Sequence, residues 1–152
     1  MGYYIFKKEQ TLKADINAVW DFVSRPENLA KITPASMNFR ILNQSSPIME
    51  EGMLITYEIS PVLNIKTTWI TEITKVTKHK NFIDQQVKGP YRFWHHEHKF
   101  QEVSGNLVKM TDVITYIPPF GLLGDIANQL FLKKKLNNIF KHRSIVLNKM
   151  FK

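Results

Sequence analysis

Three of the five histidines fall within four positions: His95, His96 and His98 of the stretch RFWHHEHKF (92–100). Imidazole gains and loses its proton near neutral pH and is also the commonest nitrogen ligand of protein-bound metals. The stretch could therefore be a metal site, an acid–base site or the polar patch of a cavity wall. Local structure decides which side chains can act together. If Arg92–Val103 is a strand, residues two apart share a face. Trp94, His96, His98, Phe100 and Glu102 then lie on one side, and Phe93, His95, Glu97 and Lys99 on the other. The two large aromatics flanking the histidines place the first set inward. SGN (104–106) reads as a compact hairpin turn. Pairing symmetric about Gly105 sets His98 opposite Asp112 and His96 opposite Ile114. Met110, Asp112, Ile114 and Tyr116 share that inward face, and a slip of one residue would turn them all out.

Three chemistries compete for these residues. In the first, a buried carboxylate and a histidine simply satisfy each other away from water. In the second, His96, His98 and Asp112 form the polar end of a mostly apolar pocket and orient a carbonyl, hydroxyl or carboxylate of a ligand. Its catalytic form uses Asp112 to hold one tautomer of His98, which then moves a proton, as a cyclase or dehydratase would need. The third is a metal. HEHKFQE (96–102) has the His–x–His–x3–Glu spacing of the first cupin metal motif, with His96, His98 and Glu102 on one face. The framing glycines of that motif are missing, and the only later histidine is His142, in the terminal helical segment. The triad His96–His98–Asp112 is a second option, but three ligand types alone do not select a metal. The expectation is therefore no metal and no cofactor.

These residues need a scaffold. Tyr3–Lys13 alternates and reads as a strand. Asp15 is a plausible N-cap, and Ile16, Val19, Trp20 and Val23 behind it form the stripe of an amphipathic helix. Pro26 suits the first turn of a second short helix, PENLAKIT, and Pro34 disfavours a helical Thr33. Six strand-like runs follow: Asn38–Leu42, Met53–Ser60, Ile65–Val76, Phe82–Val87, Arg92–Val103 and Leu107–Tyr116. The turn-forming separators between them are short and imply antiparallel neighbours. YIPPFG stops the last strand. From about Leu123 to Phe151 the pattern is one long helix, with Leu136, Ile139, Phe140, Leu147 and Met150 on one face. At 1.5 Å per residue it would span roughly 40 Å, so it must lie across the sheet. This is an α+β architecture, a curved antiparallel sheet of about seven strands with helices on one face and a space between sheet and helix.

The bulk properties are consistent with this scaffold. At 152 residues, residues 1–152 are expected to form a single domain. The absence of cysteine excludes disulfides, thiol catalysis and zinc–thiolate sites. No apolar run reaches a membrane span, and Met1–Lys13 alternates and carries charge, so a cytoplasmic protein is expected. The net charge of +8 is local: residues 126–152 carry seven Lys/Arg and no Asp/Glu, while the first 125 residues are close to balance. LKKKL (132–136), with Lys141, Arg143, Lys149 and Lys152, makes that terminal helix basic. It reads as a solvated face, or as a surface for peripheral contact with an anionic membrane. RNA is the weaker alternative partner, since there is no RRM or KH motif. P-loop, dinucleotide, GxSxG and paired-carboxylate motifs are also missing.

RPENLAKITPASMNFRI (25–41), DQQVKGPYRFWHHEHKF (84–100) and MTDVITYIPPFGLLGDIANQLF (110–131), set in this order of elements, resemble the START-like (SRPBCC) superfamily of the helix-grip fold. The likeness is to a bacterial branch related to polyketide cyclases/dehydrases and lipid-transfer proteins. The family pattern has a matching His–x–His and a matching Asp after the hairpin. The resemblance implies a cavity under the long helix for a hydrophobic or amphipathic small molecule or lipid. Trp69, Trp94, Phe100, Met110, Ile114 and Tyr116 are expected as walls, with His96, His98 and Asp112 as the polar end. The superfamily hosts carriers, sensors and enzymes, so a cofactor-free cyclase or dehydratase using His98 and Asp112 is the alternative function. PPFGLLGD (118–125) reads first as a plain strand-to-helix connection; in this architecture it would lie near the cavity mouth, where Phe120, Leu122 and Leu123 could form a lid.

Overall fold

The computed structural model describes residues 2–61 and 64–152. Strand β1 (Tyr4–Leu12) opens the chain, with half-buried and exposed side chains alternating along it. Helix α1 (Ile16–Val23) starts where expected. Asp15 caps it, its Oδ1 accepting the Asn17 backbone N–H at 2.8 Å, which satisfies one of the orphan donors of the first turn. Ile16, Val19, Trp20 and Val23 are its buried face. The second helical segment is broken up. A 3₁₀ turn (Pro26–Asn28) leads into the single turn α2 (Leu29–Ile32), and Thr33 is already extended before Pro34. A further 3₁₀ turn (Ala35–Met37) closes on Asn38, whose left-handed backbone (φ 49°) delays the next strand.

Strands β2 (Arg40–Gln44), β3 (Leu54–Ile59), β4 (Thr67–Thr77), β5 (Asn81–Lys88), β6 (Phe93–Ser104) and β7 (Leu107–Ile117) follow. Together with β1 they form one antiparallel sheet in the order β1-β7-β6-β5-β4-β3-β2. Six strands run as a meander, and β1 closes onto the last of them. Register shifts interrupt β2/β3 and β4/β5, and such bulges increase the local bend and twist of a sheet.

The expected register of the β6–β7 hairpin holds: His98 pairs with Asp112 and His96 with Ile114. A one-residue irregularity between Glu102 and Ser104 is absorbed next to the turn. Glu102 is exposed there, at the turn end of the hairpin, and not among the inward residues.

The long C-terminal helix is less regular than its sequence pattern. Helix α3 (Gly121–Ala127) passes through a wide π turn (Asn128–Leu132) into α4 (Lys133–Met150). Gly124 has to be glycine, because a Cβ there would stand 1.8 Å from the Pro119 carbonyl oxygen. The π turn holds Asn128, fully buried, with its Oδ1 accepting the Tyr116 hydroxyl at 2.6 Å. That bond ties the helix to the C-terminal end of β7. Tyr116→Phe should strip the acceptor of its donor and cost about 1–2 kcal/mol, read as a lower midpoint in urea unfolding. An unchanged midpoint would mean that this bond does not hold the helix down.

The interior has two parts. One lies under α1 and joins Trp20, Phe82, Phe100 and Met110 to Leu147 of α4. Trp20 meets the Phe82 and Phe100 rings edge-on at 6.2 and 5.6 Å. The other lies under the first half of α4, where Leu136 and Phe140 cover Trp69, Trp94, Ile114 and Tyr116. Ile139 is half-buried and Met150 exposed, so the apolar stripe narrows toward the C-terminus. No described helix is long and apolar enough to cross a membrane.

Candidate functional site

A cavity of about 140 Å³ lies between the sheet and α4. One water needs roughly 10–15 Å³ on this measure, so the space would admit a small organic molecule. Strand alternation explains the wall. Tyr57 of β3 pairs with Trp69 of β4, and the two rings stack at 5.7 Å. Trp94 of β6 meets Trp69 edge-on at 5.2 Å, and Tyr91 closes against both. Helix α4 contributes Leu136 and Phe140 from above.

The polar end is a cluster of five charged or ionisable side chains. Asp112 of β7 is its anchor. Its Oδ1 lies 2.8 Å from His96 Nε2, 3.1 Å from His98 Nδ1 and 3.5 Å from Arg143 Nη1. Each imidazole turns its other nitrogen toward Asp84 of β5. His98 Nε2 is 2.6 Å from Asp84 Oδ2, and His96 Nδ1 is 3.4 Å from the same oxygen. Asp84 arrives there because it pairs with His96 across β5–β6. Arg143 reaches down from α4, its guanidinium carbon 4.5 Å from the Phe140 ring centre.

The protonation pattern follows from these contacts. Burial opposes charge on His98, but its hydrogen bonds to Asp112 and Asp84 and the charges of both carboxylates outweigh it and raise its pKa. Burial and the neighbouring His98 hold His96 below the ordinary histidine value, against the pull of the two carboxylates. Burial works against ionising Asp112 and Asp84. The histidines and Arg143 reverse that, and both carboxyls sit below the usual range, Asp112 far below it. These directions favour two ionised carboxylates and put the first imidazole proton on His98 before His96, beside the Arg143 guanidinium. With that one proton on His98 the formal charges cancel, and such pairing is how charged groups are tolerated away from water.

The expected site residues divide into two groups. Trp69, Trp94, His96 and His98 line the cavity. Asp112 does not: it stands behind the histidines and orients both, where a bond to His98 was the expectation. Ile114 and Tyr116 are buried in the sheet beneath Phe140, beside the wall instead of on it. Phe100 and Met110 belong to the core under α1, because Trp20 packs on Phe100 at that end of β6–β7.

Asp84, Arg143, Tyr57 and Tyr91 line the cavity but were not among the site residues expected from the sequence. Two had a signal. Asp84 alternates with Phe82, so an inward Phe82 requires an inward Asp84. Arg143 sits among Leu136, Phe140 and Leu147 on the apolar stripe of the last helix, an unusual place for a guanidinium.

The cupin-type triad does not assemble, since Glu102 is exposed at the hairpin end. A different triad does. Asp84, His96 and His98 each offer one ligand-type atom, all within 4.8 Å of one another. Two imidazoles and a carboxylate could hold a divalent cation, with Asp112 as the outer carboxylate that orients both rings. In the geometry described, His98 Nε2 is instead hydrogen-bonded to Asp84.

The sequence profile of the polyketide cyclase / dehydrase and lipid transport family matches residues 12–140. The chain belongs to that family. The solved structures agree on the helix-grip fold of START-like proteins. A START superfamily protein from Mycobacterium smegmatis aligns with 99% of this family member and 97% of its own length, at 10% identity and a TM-score of 0.74. Ginseng major latex-like protein 151 from Panax ginseng covers 98% and 97%, at 11% identity and a TM-score of 0.72. A protein from Arthrobacter aurescens covers 95% and 86%, at 14% identity and a TM-score of 0.73. At such identities the likeness is one of fold. No curated protein matches this family member at a significant level.

Proposed function

We propose that this family member binds a hydrophobic or amphipathic small molecule in the cavity beneath α4. The observation that carries the reading is an aromatic-walled space with one charge-balanced cluster at its end. Apolar walls supply binding energy, and a few convergent polar groups fix orientation. Native mass spectrometry before and after organic extraction tests it directly. The expected result is an organic mass that disappears on extraction, together with Trp fluorescence that changes when the extracted protein is titrated with amphiphiles, because Trp69 and Trp94 form the wall. An extracted protein whose fluorescence ignores every apolar probe would refute the reading.

A second reading, cofactor-free acid–base catalysis of the cyclase or dehydratase type, is favoured by His98. It lines the cavity while hydrogen-bonded between two carboxylates, as a proton carrier needs. Asp84 faces it on the cavity side, and Asp112 orients it from behind. His98→Gln should then abolish turnover of a bound polyketide-like substrate with binding retained. Equal turnover in both proteins would remove this reading.

Contact with an anionic membrane is supported by the surface around α3. Phe120, Leu122, Leu123, Ile126, Leu130 and Phe131 are 55–81% exposed. Phe120 also holds a left-handed backbone (φ 66°), a conformation that costs a bulky residue energy. The segment runs into exposed Lys133 and Lys134 and into Leu132 at the cavity. Apolar residues beside lysines suit an anionic lipid surface. Co-sedimentation with phosphatidylserine vesicles should fall at least several-fold in a Leu123→Asp/Phe131→Asp variant, and also in Lys133→Glu/Lys134→Glu. Unchanged sedimentation in both would leave the segment without this role.

A further inference from the structure

Several hydrogen-bond donors of the cavity-lining residues have no partner in the protein. Trp69 is 5% exposed, and its indole N–H has no hydrogen-bond partner. Arg143 spends Nη1 on Asp112, but its buried Nε–H is also without a partner. Lys135 is half-buried on the same wall, and no carboxylate lies within ion-pair distance of it among the described residues. Desolvation by burial lowers its pKa, so its charge is held at a cost. These are an indole, a guanidinium edge and an ammonium, and all three donate without accepting.

The carboxylates near the wall are already engaged. Asp84, the one carboxylate lining the cavity, meets His98 at 2.6 Å and His96 at 3.4 Å. Asp112 stands behind the wall with three donors on one oxygen. Buried donors without acceptors are costly, and native proteins rarely leave them so. The missing acceptors are best supplied by the occupant.

We infer that the cavity takes a hydrophobic molecule with an acidic head group, a monocarboxylate, received by the Arg143 Nε–H, the Lys135 ammonium and the Trp69 indole N–H. This rests on the small-molecule reading above and adds the class of ligand. A single negative charge fits better than a dianionic phosphate, because the Asp84 carboxylate shares the same wall. The aromatic walls take the tail.

The test compares three probes with one tail and different heads: decanoate, decan-1-ol and decylamine, titrated at pH 7 with Trp fluorescence and calorimetry. Decanoate is expected to bind roughly tenfold or more tighter than the alcohol, from charge-assisted hydrogen bonds that only it can make. The amine is expected to bind weakest. Lys135→Met and Trp69→Phe should each shrink the ratio of decanoate to decan-1-ol affinity, read by calorimetry, whatever they do to the alcohol alone. Both keep bulk in place, and neither touches the Asp112 anchor, so the result does not depend on whether an Arg143→Gln protein folds. Equal binding of acid and alcohol would overturn the inference while leaving the small-molecule reading intact. So would a preference for the acid that survives both substitutions. No binding by any of the three probes would overturn the two together.

Discussion

Replacing Asp112 with alanine is expected to remove about 3–5 kcal/mol of folding stability, as when one partner of a buried ionic group is deleted. One oxygen of this side chain stands within 3.5 Å of His96, His98 and Arg143. Its removal leaves two buried histidines and a nearly buried guanidinium facing one carboxylate, Asp84, with an empty space between them. Equilibrium unfolding in urea measures the loss. Asp112→Asn should fall in between, since the amide oxygen can still accept one donor while the charge is gone. Alanine at the outward-facing Thr111 is the comparison for a general strand effect and should cost far less. A loss at Asp112→Ala no larger than that at Thr111→Ala would mean that the cluster does not depend on its central carboxylate.

Acid should destabilise the protein in a window set by the same groups. Asp84 and Asp112 both have folded pKa values below the ordinary carboxylate value. A depressed carboxyl contributes stability that is present above its unfolded value, about 3.9, and is lost as the pH falls through the folded values. His96, held low, adds to the trend: it disfavours the fold as the pH drops below about 6.5. His98 acts in the opposite direction. Its raised pKa contributes stability that is full below about 6.5 and is lost as the pH rises through its folded value. Thermal midpoints should therefore decline gently below pH 6.5 and steeply below pH 4. In Asp112→Asn the steep acid limb should be shallower, because one of the two protons taken up on unfolding has been removed. Parallel acid limbs in the two proteins would show that other carboxylates govern the acid transition.

Much of the scaffold was legible in the sequence for physical reasons. A strand with one buried face must alternate, so Trp94, His96 and His98 declared their common side. A short turn leaves few registers, so Asp112 could be placed opposite His98. Asp15 could be recognised as a cap, and Ile16, Val19, Trp20 and Val23 as one helical stripe. The basic run from Lys133 and the lack of cysteine were read directly.

What remained hidden depends on contacts between residues far apart in the chain. The link from β5 to β6 is not a tight hairpin, so no local rule set Asp84 opposite His96. Arg143 is three residues beyond Phe140 on one helical face, but which strand end that face covers depends on the path of α4 across the sheet. The site's walls were misassigned at Phe100 and Met110, because alternation says which face a residue points to and not what lies above it. There Trp20 from α1 packs on Phe100, and Met110 borders a separate small space of about 20 Å³. Sequence by itself determined the family of fold, the inward face of β6–β7 and the identity of the two histidines with their first carboxylate. Only the tertiary structure decided that a second carboxylate and a guanidinium complete the cluster, and which residues line the cavity, because helix placement over a sheet is settled by packing across the whole interior.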